Sequence, residues 1–250
     1  MSGHSKWSTI KRKKAAADAK RSNAFAKLLR AVEVAAKEGG GSIEGNSTLA
    51  SAVDKARDAS VPWDNIERAI KRGTGELGGG ARYEEVTYEG YGPGGVALIV
   101  ETLTDNRNRT SQDVRYAFTR NGGSLGDPGS TAWMFTRKGV VQIEKSTAVD
   151  EEKLLEMALD AGAEDVADAG STWEITTDTA ALRRVREVIE ASGISVLSAE
   201  LTMVPQSQVP VEGAQARQVL ALLDALEELD DVQNVYANFD IPEEVMAEVG

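Results

Sequence analysis

One unit recurs along the second half of this chain and restricts its fold more than any other feature. An amphipathic helical stretch, a glycine or short turn, and a strand-like run follow one another four times: VRYAFTRNGGSL, LLEMALDAGAEDV, VREVIEASGISVL and LLDALEELDDVQNV. Helices alternating with strands call for helices packed on a sheet. Between Gly139 and Val204 the order is strand (VVQIE), helix (150–161), strand (EDVADA), strand (TWEITT), helix (179–191), strand (VLSAELTMV). That is βαββαβ, a complete ferredoxin-like module. The flanking segments are each incomplete. Strands are expected at Tyr83–Gly90 and Gly95–Leu103, joined by YGPG, then a helix near Asn106–Asn121 and a strand at Ala132–Thr136. Residues 81–137 and 205–250 together supply a second α/β domain. The module at 138–204 is therefore expected as an insertion, with junctions at Arg137-Lys138-Gly139 and Val204-Pro205-Gln206-Ser207.

The first 80 residues follow a helical period. Phe25, Leu28, Leu29 and Val32 form an apolar stripe, and Lys20, Lys27, Arg30 and Lys37 fall on the opposite face. Leu49, Ala52, Val53 and Ala56 repeat the spacing, with Asn46 or Ser47 as cap. Pro62 starts a third helix that Gly73 closes. The tight second connection resembles a helix-turn-helix, but most three-helix bundles bind no DNA. GTGELGGGAR (73–82) is a glycine-rich boundary. The expected fold is multi-domain, α and α+β: a three-helix domain at 1–80, then two ferredoxin-like α/β domains, one inserted in the other.

Charge is unevenly placed. The chain of 250 residues has a net charge of −12, yet residues 1–37 hold ten Lys/Arg against Asp18 and Glu33, a net of +8. Residues 1–80 carry +6, which leaves −18 on the other 170. One end seeks a polyanion and the rest repels it. The chemistry available is narrow. There is no cysteine, and His4 is the only histidine, so neither a His/Cys zinc site nor a thiol nucleophile can form. GYGPGG (90–95) leads into a strand, not a helix, so it reads as a hairpin turn and not a phosphate loop. DALEELDD (224–231) lacks calcium-loop spacing and reads as a solvated helix face. No enzyme, metal, cofactor, small-molecule substrate or membrane span is expected.

Two stretches are candidate contacts for nucleic acid. The first is the basic start: Lys6, Trp7, Lys11, Arg12, Lys13, Lys14, Lys20, Arg21, Lys27 and Arg30. Residues 2–22 have little to bury and are expected to order on nucleic acid. Trp7 could stack on a base or pack on the first helix; Trp63, Trp133 and Trp173 are expected in cores. The second stretch is TDNRNRT (104–110), which joins a strand to a helix. Asp105 or Asn106 caps that helix. Arg107 and Arg109, with Asn106 and Asn108, either form an anion site at its N-terminus or pair with nearby acids.

SGHSKW, IKRKKAAADAKR, EGGGSIEGN, SVPWDNIERAIKRGTGE, YEGYGPGGVALIVETLTDNRNRT, RNGGSLGDPGS and WMFTRKGVV resemble the YebC family along essentially the whole chain. That family includes a bacterial regulator and the mitochondrial translational activator of cytochrome oxidase. The resemblance implies a crescent of one helical and two α/β domains. It carries the basic motif onto Lys6, Lys11, Arg12, Lys13, Lys14, Lys20 and Arg21, and the loop motif onto Asn106–Arg109. It implies a cytoplasmic, bacterial-type protein without a transit peptide. The expected function is non-enzymatic regulation of gene expression, by a monomer bound either to ribosomal RNA, aiding translation through proline-rich stretches, or to duplex DNA as a transcriptional regulator.

Overall fold

The computed structural model describes residues 18–78, 82–145, 150–170, 172–242 and 245. In chain order the elements are α1 (Asp18–Gly39), α2 (Ser47–Asp58), α3 (Trp63–Gly73), β1 (Glu84–Tyr91), β2 (Ala97–Thr104), α4 (Arg107–Arg120), β3 (Ser124–Leu125), β4 (Phe135–Glu144), α5 (Glu151–Ala161), β5 (Ala163–Asp168), β6 (Thr172–Thr177), α6 (Leu182–Ala191), β7 (Val196–Pro205), β8 (Val209–Pro210), α7 (Gly213–Glu227), β9 (Val232–Ala237) and β10 (Phe239–Asp240). The chain divides into two compact units, Thr136–Val204 and the remainder.

In the larger unit, Val32, Ala35 and Ala36 of α1 pack on Leu49, Val53 and Ala56 of α2 and on Ile66 and Ala69 of α3. Asn46 caps α2. Its Oδ1 accepts from the Leu49 N–H at 3.0 Å, and its Nδ2 donates to the carbonyls of Ala35 (2.8 Å) and Gly40 (2.9 Å). One buried amide thus closes the end of α1 and opens α2. At Gly73 the chain meets α1 so closely that a Cβ would run into the Glu33 carbonyl oxygen. Residues 18–22, placed by the sequence reading in a segment without structure of its own, belong to α1.

The same unit holds a sheet of order β3-β1-β2-β9. β1 and β2 form an antiparallel hairpin from Glu84↔Thr104 to Tyr91↔Ala97, turning at Pro93–Gly95, where Gly94 (φ +73°) and Gly95 (φ +78°) take left-handed backbone. Leu98 and Val100 of β2, Val114 and Phe118 of α4, Leu220 and Leu223 of α7 and Val235 of β9 share its core. The smaller unit has order β5-β6-β4-β7. Its helices α5 and α6 place Leu154, Ala158, Val185 and Ile189 against Val141, Ile143, Trp173 and Ile175. Both layouts are the ferredoxin-like one. In the larger unit the chain enters at β1, so the spatial pattern matches while the order of strands along the chain is permuted.

Two local expectations are corrected. Residues 132–134 form a 3-10 turn, and the strand begins at Phe135. Trp63 (50% exposed) and Trp133 (67% exposed) lie on the surface, while Trp173 is buried. Trp63 is the first residue of α3, outside its buried face. The Trp133 indole N–H is satisfied at the surface by the Ser130 carbonyl at 3.1 Å. No helix among the described residues is long and apolar enough to cross a membrane.

Candidate nucleic-acid interface

Lys6, Trp7, Lys11, Arg12, Lys13 and Lys14 lie outside the described residues. Lys20 and Arg21 are on the first turn of α1. Lys27 and Arg30 lie about two and three turns further along, on the polar side of the helix, and that side faces the α/β domain of the same unit. Lys27 Nζ donates to the Glu227 carbonyl at 2.5 Å. Arg30 Nη1 donates to the carbonyls of Leu103 (3.2 Å) and Asp230 (3.1 Å) and to Asp231 Oδ1 (3.1 Å). Its guanidinium also lies 5.1 Å from the centroid of the Tyr83 ring. Asn23 Nδ2 reaches the Glu228 carbonyl at 3.4 Å. The C-terminal end of α7 and the turn after it expose carbonyl oxygens at the negative end of the helix dipole, and α1 supplies the donors and cations. One turn of α2 adds Lys55, whose Nζ donates to Asn234 Oδ1 at 3.1 Å.

The TDNRNRT stretch behaves as the start of α4 requires. Asn106 is the cap, its Oδ1 accepting from the Arg109 N–H at 3.1 Å. Arg107 and Asn108 are exposed. Arg109 Nη2 donates to Asp105 Oδ1 (2.9 Å) and to Asp231 Oδ2 (2.7 Å). Of the two outcomes open for Arg109, pairing with nearby acid is therefore the one observed. It also resolves the cost of placing a cation at a helix N-terminus.

The two stretches that the sequence offers separately thus meet at one carboxylate. Asp231 is 6% exposed. Its Oδ1 receives Arg30, and its Oδ2 receives Arg109, Thr110 Oγ1 (2.7 Å) and Thr104 Oγ1 (3.1 Å). Burial by itself would raise this carboxyl; the bonds from Arg109, Thr110 and Thr104 outweigh it and hold the carboxyl below its ordinary range. With these oxygens so occupied, Asp231 acts as a hub that fixes α1, α4 and the approach to β9, not as a base.

Sequence reasoning missed this hub, because DALEELDD reads as a solvated face. Asp231 departs from that reading because α7 ends at Glu227, and the chain turns inward at Asp231 to begin β9. Its partners are 122 and 201 residues away, so no local spacing announces them. A second buried carboxylate was missed for the same reason. Glu89 accepts from the N–H groups of Gly129, Thr131 and Ala132, each at 2.7 Å, so the GDPGS loop wraps around it. Burial opposes its charge, and these backbone bonds hold its carboxyl below the ordinary range.

α3 matters for any DNA reading. Its exposed residues include Trp63, Asp64, Glu67 and Arg68. Lys71 is matched by Glu67 at 2.7 Å and Arg72 by Glu33 at 3.0 Å. Acids on this face and the pairing of Lys71 and Arg72 leave Arg68 as its one cation with no ion pair among the described residues, so it has little excess positive charge to bring into a groove. Among the described residues no cluster of His, Asp and Glu is grouped to hold a metal ion.

Known proteins share this architecture over the whole chain. Residues 5–76 match the family described as the TACO1/YebC protein N-terminal domain, and residues 83–239 match the TACO1/YebC second and third domain. Proteins named "Probable transcriptional regulatory protein" are similar throughout: one from Rubrobacter xylanophilus is 59% identical, covering 100% of this chain and 99% of its own length. One from Frankia casuarinae is 55% identical over 100% of both. The crystal structure of a conserved hypothetical protein from Aquifex aeolicus superposes with a TM-score of 0.81 at 48% identity, covering 91% of this chain and 93% of that one. With both domain descriptions matched in order and relatives aligned from end to end, the chain belongs to the TACO1/YebC family.

Proposed function

We propose that this protein is a non-enzymatic regulator of gene expression that grips nucleic acid with the cations of its N-terminal segment. The observation that carries this reading is the segregation of charge, +8 on residues 1–37 against −18 on residues 81–250. A cationic segment neutralises phosphates without regard to sequence. The acidic body limits how closely a long polyanion can wrap the molecule. Lys27, Arg30 and Arg109 hold the body together, so the grip falls to Lys6, Lys11, Arg12, Lys13, Lys14, Lys20 and Arg21, with Arg107 as an exposed second point.

The geometry favours folded RNA, with the protein acting on the ribosome during translation. Duplex recognition needs base contacts from an element that enters a groove, and α3 presents paired cations and acids there. The names of the relatives favour a second reading, transcriptional regulation through DNA. A side-by-side titration at physiological salt separates the two, using ribosomes and duplexes selected from a random pool. The expected outcome is ribosome binding at least tenfold tighter than any duplex. A selected duplex bound in the nanomolar range, with ribosomes bound no tighter, would overturn the translation reading and establish the transcriptional one.

A further inference from the structure

We infer that the outer face of α4 is a binding surface for an unpaired nucleic-acid strand, with Tyr116 as a stacking platform between Arg115 and Arg120. This deepens the nucleic-acid reading above and rests on it.

The region around α4 is acidic, and α4 is not. Residues 81–250 hold thirteen Lys/Arg and thirty-one Asp/Glu, yet the fourteen residues RNRTSQDVRYAFTR contain four of those arginines and one acid, Asp113. Elsewhere in residues 81–250, five of the nine Lys/Arg, namely Lys138, Lys145, Lys153, Arg183 and Arg186, each have a carboxylate within 4.0 Å. On α4, Arg109 is matched in that way by Asp105 and Asp231. Arg115 has no ion pair or hydrogen bond to its guanidinium among the described residues. A cationic helix on an acidic body is a local attraction for a polyanion, and the surrounding acids confine it to that strip.

The helix periodicity sorts the residues into faces. Thr110, Val114, Ala117 and Phe118 are buried against the sheet and α7. At about 100° per residue, Asn108, Gln112, Arg115, Tyr116 and Thr119 then lie within about 60° of the outward direction. All five are exposed, and Asp113 is turned away from their centre by about 100°. The ridge therefore carries a cation, an aromatic ring, two amides and a hydroxyl, and no carboxylate.

Tyr116 is 62% exposed, far more than a ring kept for packing. Arg120 holds it: Nη1 donates to the Tyr116 hydroxyl at 2.8 Å, and the guanidinium lies 5.9 Å from the ring centroid. The hydrogen bond restrains a side chain that would otherwise lose rotamer freedom on binding. A ring held by the Arg120 guanidinium, with Arg115 exposed on the same outer face of the helix, matches the chemistry of single-strand sites, where bases stack on aromatic faces and cations follow the phosphates. The base faces of a duplex are hidden in its stack. The major groove of an A-form helix is too narrow for a helix to enter, and its wide minor groove is read mostly through shape and 2′-hydroxyl and phosphate contacts, which need no aromatic platform.

The test uses the full chain and a fluorescein-labelled 20-nucleotide oligouridylate, its deoxy counterpart and a 20-base-pair duplex, with anisotropy as readout. The variants are Arg115→Glu with Arg120→Glu, Tyr116→Ala and Tyr116→Phe, with Arg183→Glu as a charge control on the other unit. All these residues are exposed, and thermal melting verifies that each variant folds. The double arginine variant should weaken strand binding at least tenfold and Tyr116→Ala about fivefold or more, with Tyr116→Phe, which keeps the ring but loses the Arg120 bond, between the parent and Tyr116→Ala, and Arg183→Glu within twofold of the parent. Comparable losses on the ribo- and deoxy-strands assign the surface to unpaired strands generally; a loss on the ribo-strand alone assigns it to RNA. If the parent binds and the double variant binds equally well, this surface is refuted and the nucleic-acid reading stands. If Tyr116→Phe loses as much as Tyr116→Ala, or the duplex suffers the larger loss, stacking on an unpaired strand is refuted. A parent that binds neither strand, duplex nor ribosome overturns both readings together.

Discussion

The two four-stranded sheets share one spatial layout but hold their polar groups differently. In the inserted unit the side-chain ion pairs join near neighbours along the chain: Arg183 with Glu187, Arg186 with Glu190, and Lys138 with Glu164 across 26 residues. In the split unit two buried carboxylates reach much further. Glu89 binds a loop 40–43 residues on, and Asp231 binds side chains 122 and 201 residues back. The difference follows from connectivity. A contiguous βαββαβ module closes short loops, and apolar burial fixes its register. In the split unit the chain leaves after Phe135 and returns at Pro205 with α7 and β9, so the returning segment must be fixed against elements made much earlier. Charged hydrogen bonds of defined geometry do that more selectively than apolar contact.

The largest break in this comparison is Asp231→Ala. It removes the shared partner of Arg30 and Arg109 and leaves the Thr104 hydroxyl without its acceptor, while Thr110 keeps the Asn106 carbonyl at 3.1 Å. Leaving the buried Thr104 hydroxyl unsatisfied costs about 1–3 kcal/mol, and the lost pairs with Arg30 and Arg109 add to it, that of Arg109 modestly because its side chain is 48% exposed. Hydrogen exchange should show amides of α1, α4 and β9 opening at lower denaturant while β4–β7 amides keep their parent protection. Equal loss in both units would mean that the hub does not belong to the split unit alone.

Glu89→Gln should follow at about 1–3 kcal/mol, because an amide can present only one oxygen to three N–H donors and turns its NH₂ group toward a donor. The loss should centre on residues 126–134, and denaturant melting of the purified variant measures it. Glu89→Asp is the sharper control. It keeps the charge but pulls the carboxylate back by one methylene, so a loss comparable to Glu89→Gln would show that reach is required as well as charge, and a small loss would leave the charge as the requirement.

Acid separates the units through the same two groups. The carboxyls of Asp231 and Glu89 sit below their ordinary values in the folded protein. A depressed carboxyl contributes stability that is present above its unfolded pKa, about 4, and is lost as pH falls through the folded value. In the inserted unit the depressed carboxyl is that of Asp168, an exposed group held by Lys145 and by the Gly170 N–H, and screening makes its contribution small. As pH falls below about 4, the split unit should therefore lose protection first. The inserted unit opening first would reverse the assignment.

The same contrast explains what the sequence disclosed. The inserted module was legible strand by strand, TWEITT included, because its partners are close and its periodicity uninterrupted. Helix caps were narrowed to Asn46 or Ser47 and to Asp105 or Asn106, since capping is decided within four residues, and Asn46 and Asn106 are the ones observed. The hub was not legible. Lys27 and Arg30 read as free cations, because a helical wheel shows a polar face but not the α7 terminus that it docks on, and for Arg109 pairing with nearby acid was one of two readings left open. Trp63 and Trp133 were placed in cores on residue type alone, which says nothing about a helix-start or turn position. The grip on nucleic acid was drawn from composition, and its six most N-terminal residues lie outside the described structure.

The smallest expected effect comes from the largest deletion. Met134 and Gln206 flank the insertion, and the Gln206 N–H donates to the Met134 carbonyl at 2.8 Å. The chain therefore leaves the split unit and re-enters it at nearly the same point, and a short linker between Phe135 and Pro205 has almost no distance to span. Closing a loop of a few residues instead of one of about seventy lowers the entropic cost slightly, since that cost grows only with the logarithm of length. The split unit keeps its own core of β2, α4, α7 and β9 and both carboxylate anchors. Replacing Thr136–Val204 with a Gly-Ser linker should thus leave the denaturation midpoint of the remainder within about 1 kcal/mol of the parent, with a small gain as readily as a small loss. The excised fragment should melt cooperatively by itself, followed through Trp173, its single tryptophan. A remainder that fails to fold, with a fragment that does, would show that the split sheet depends on its insertion for more than continuity of the chain.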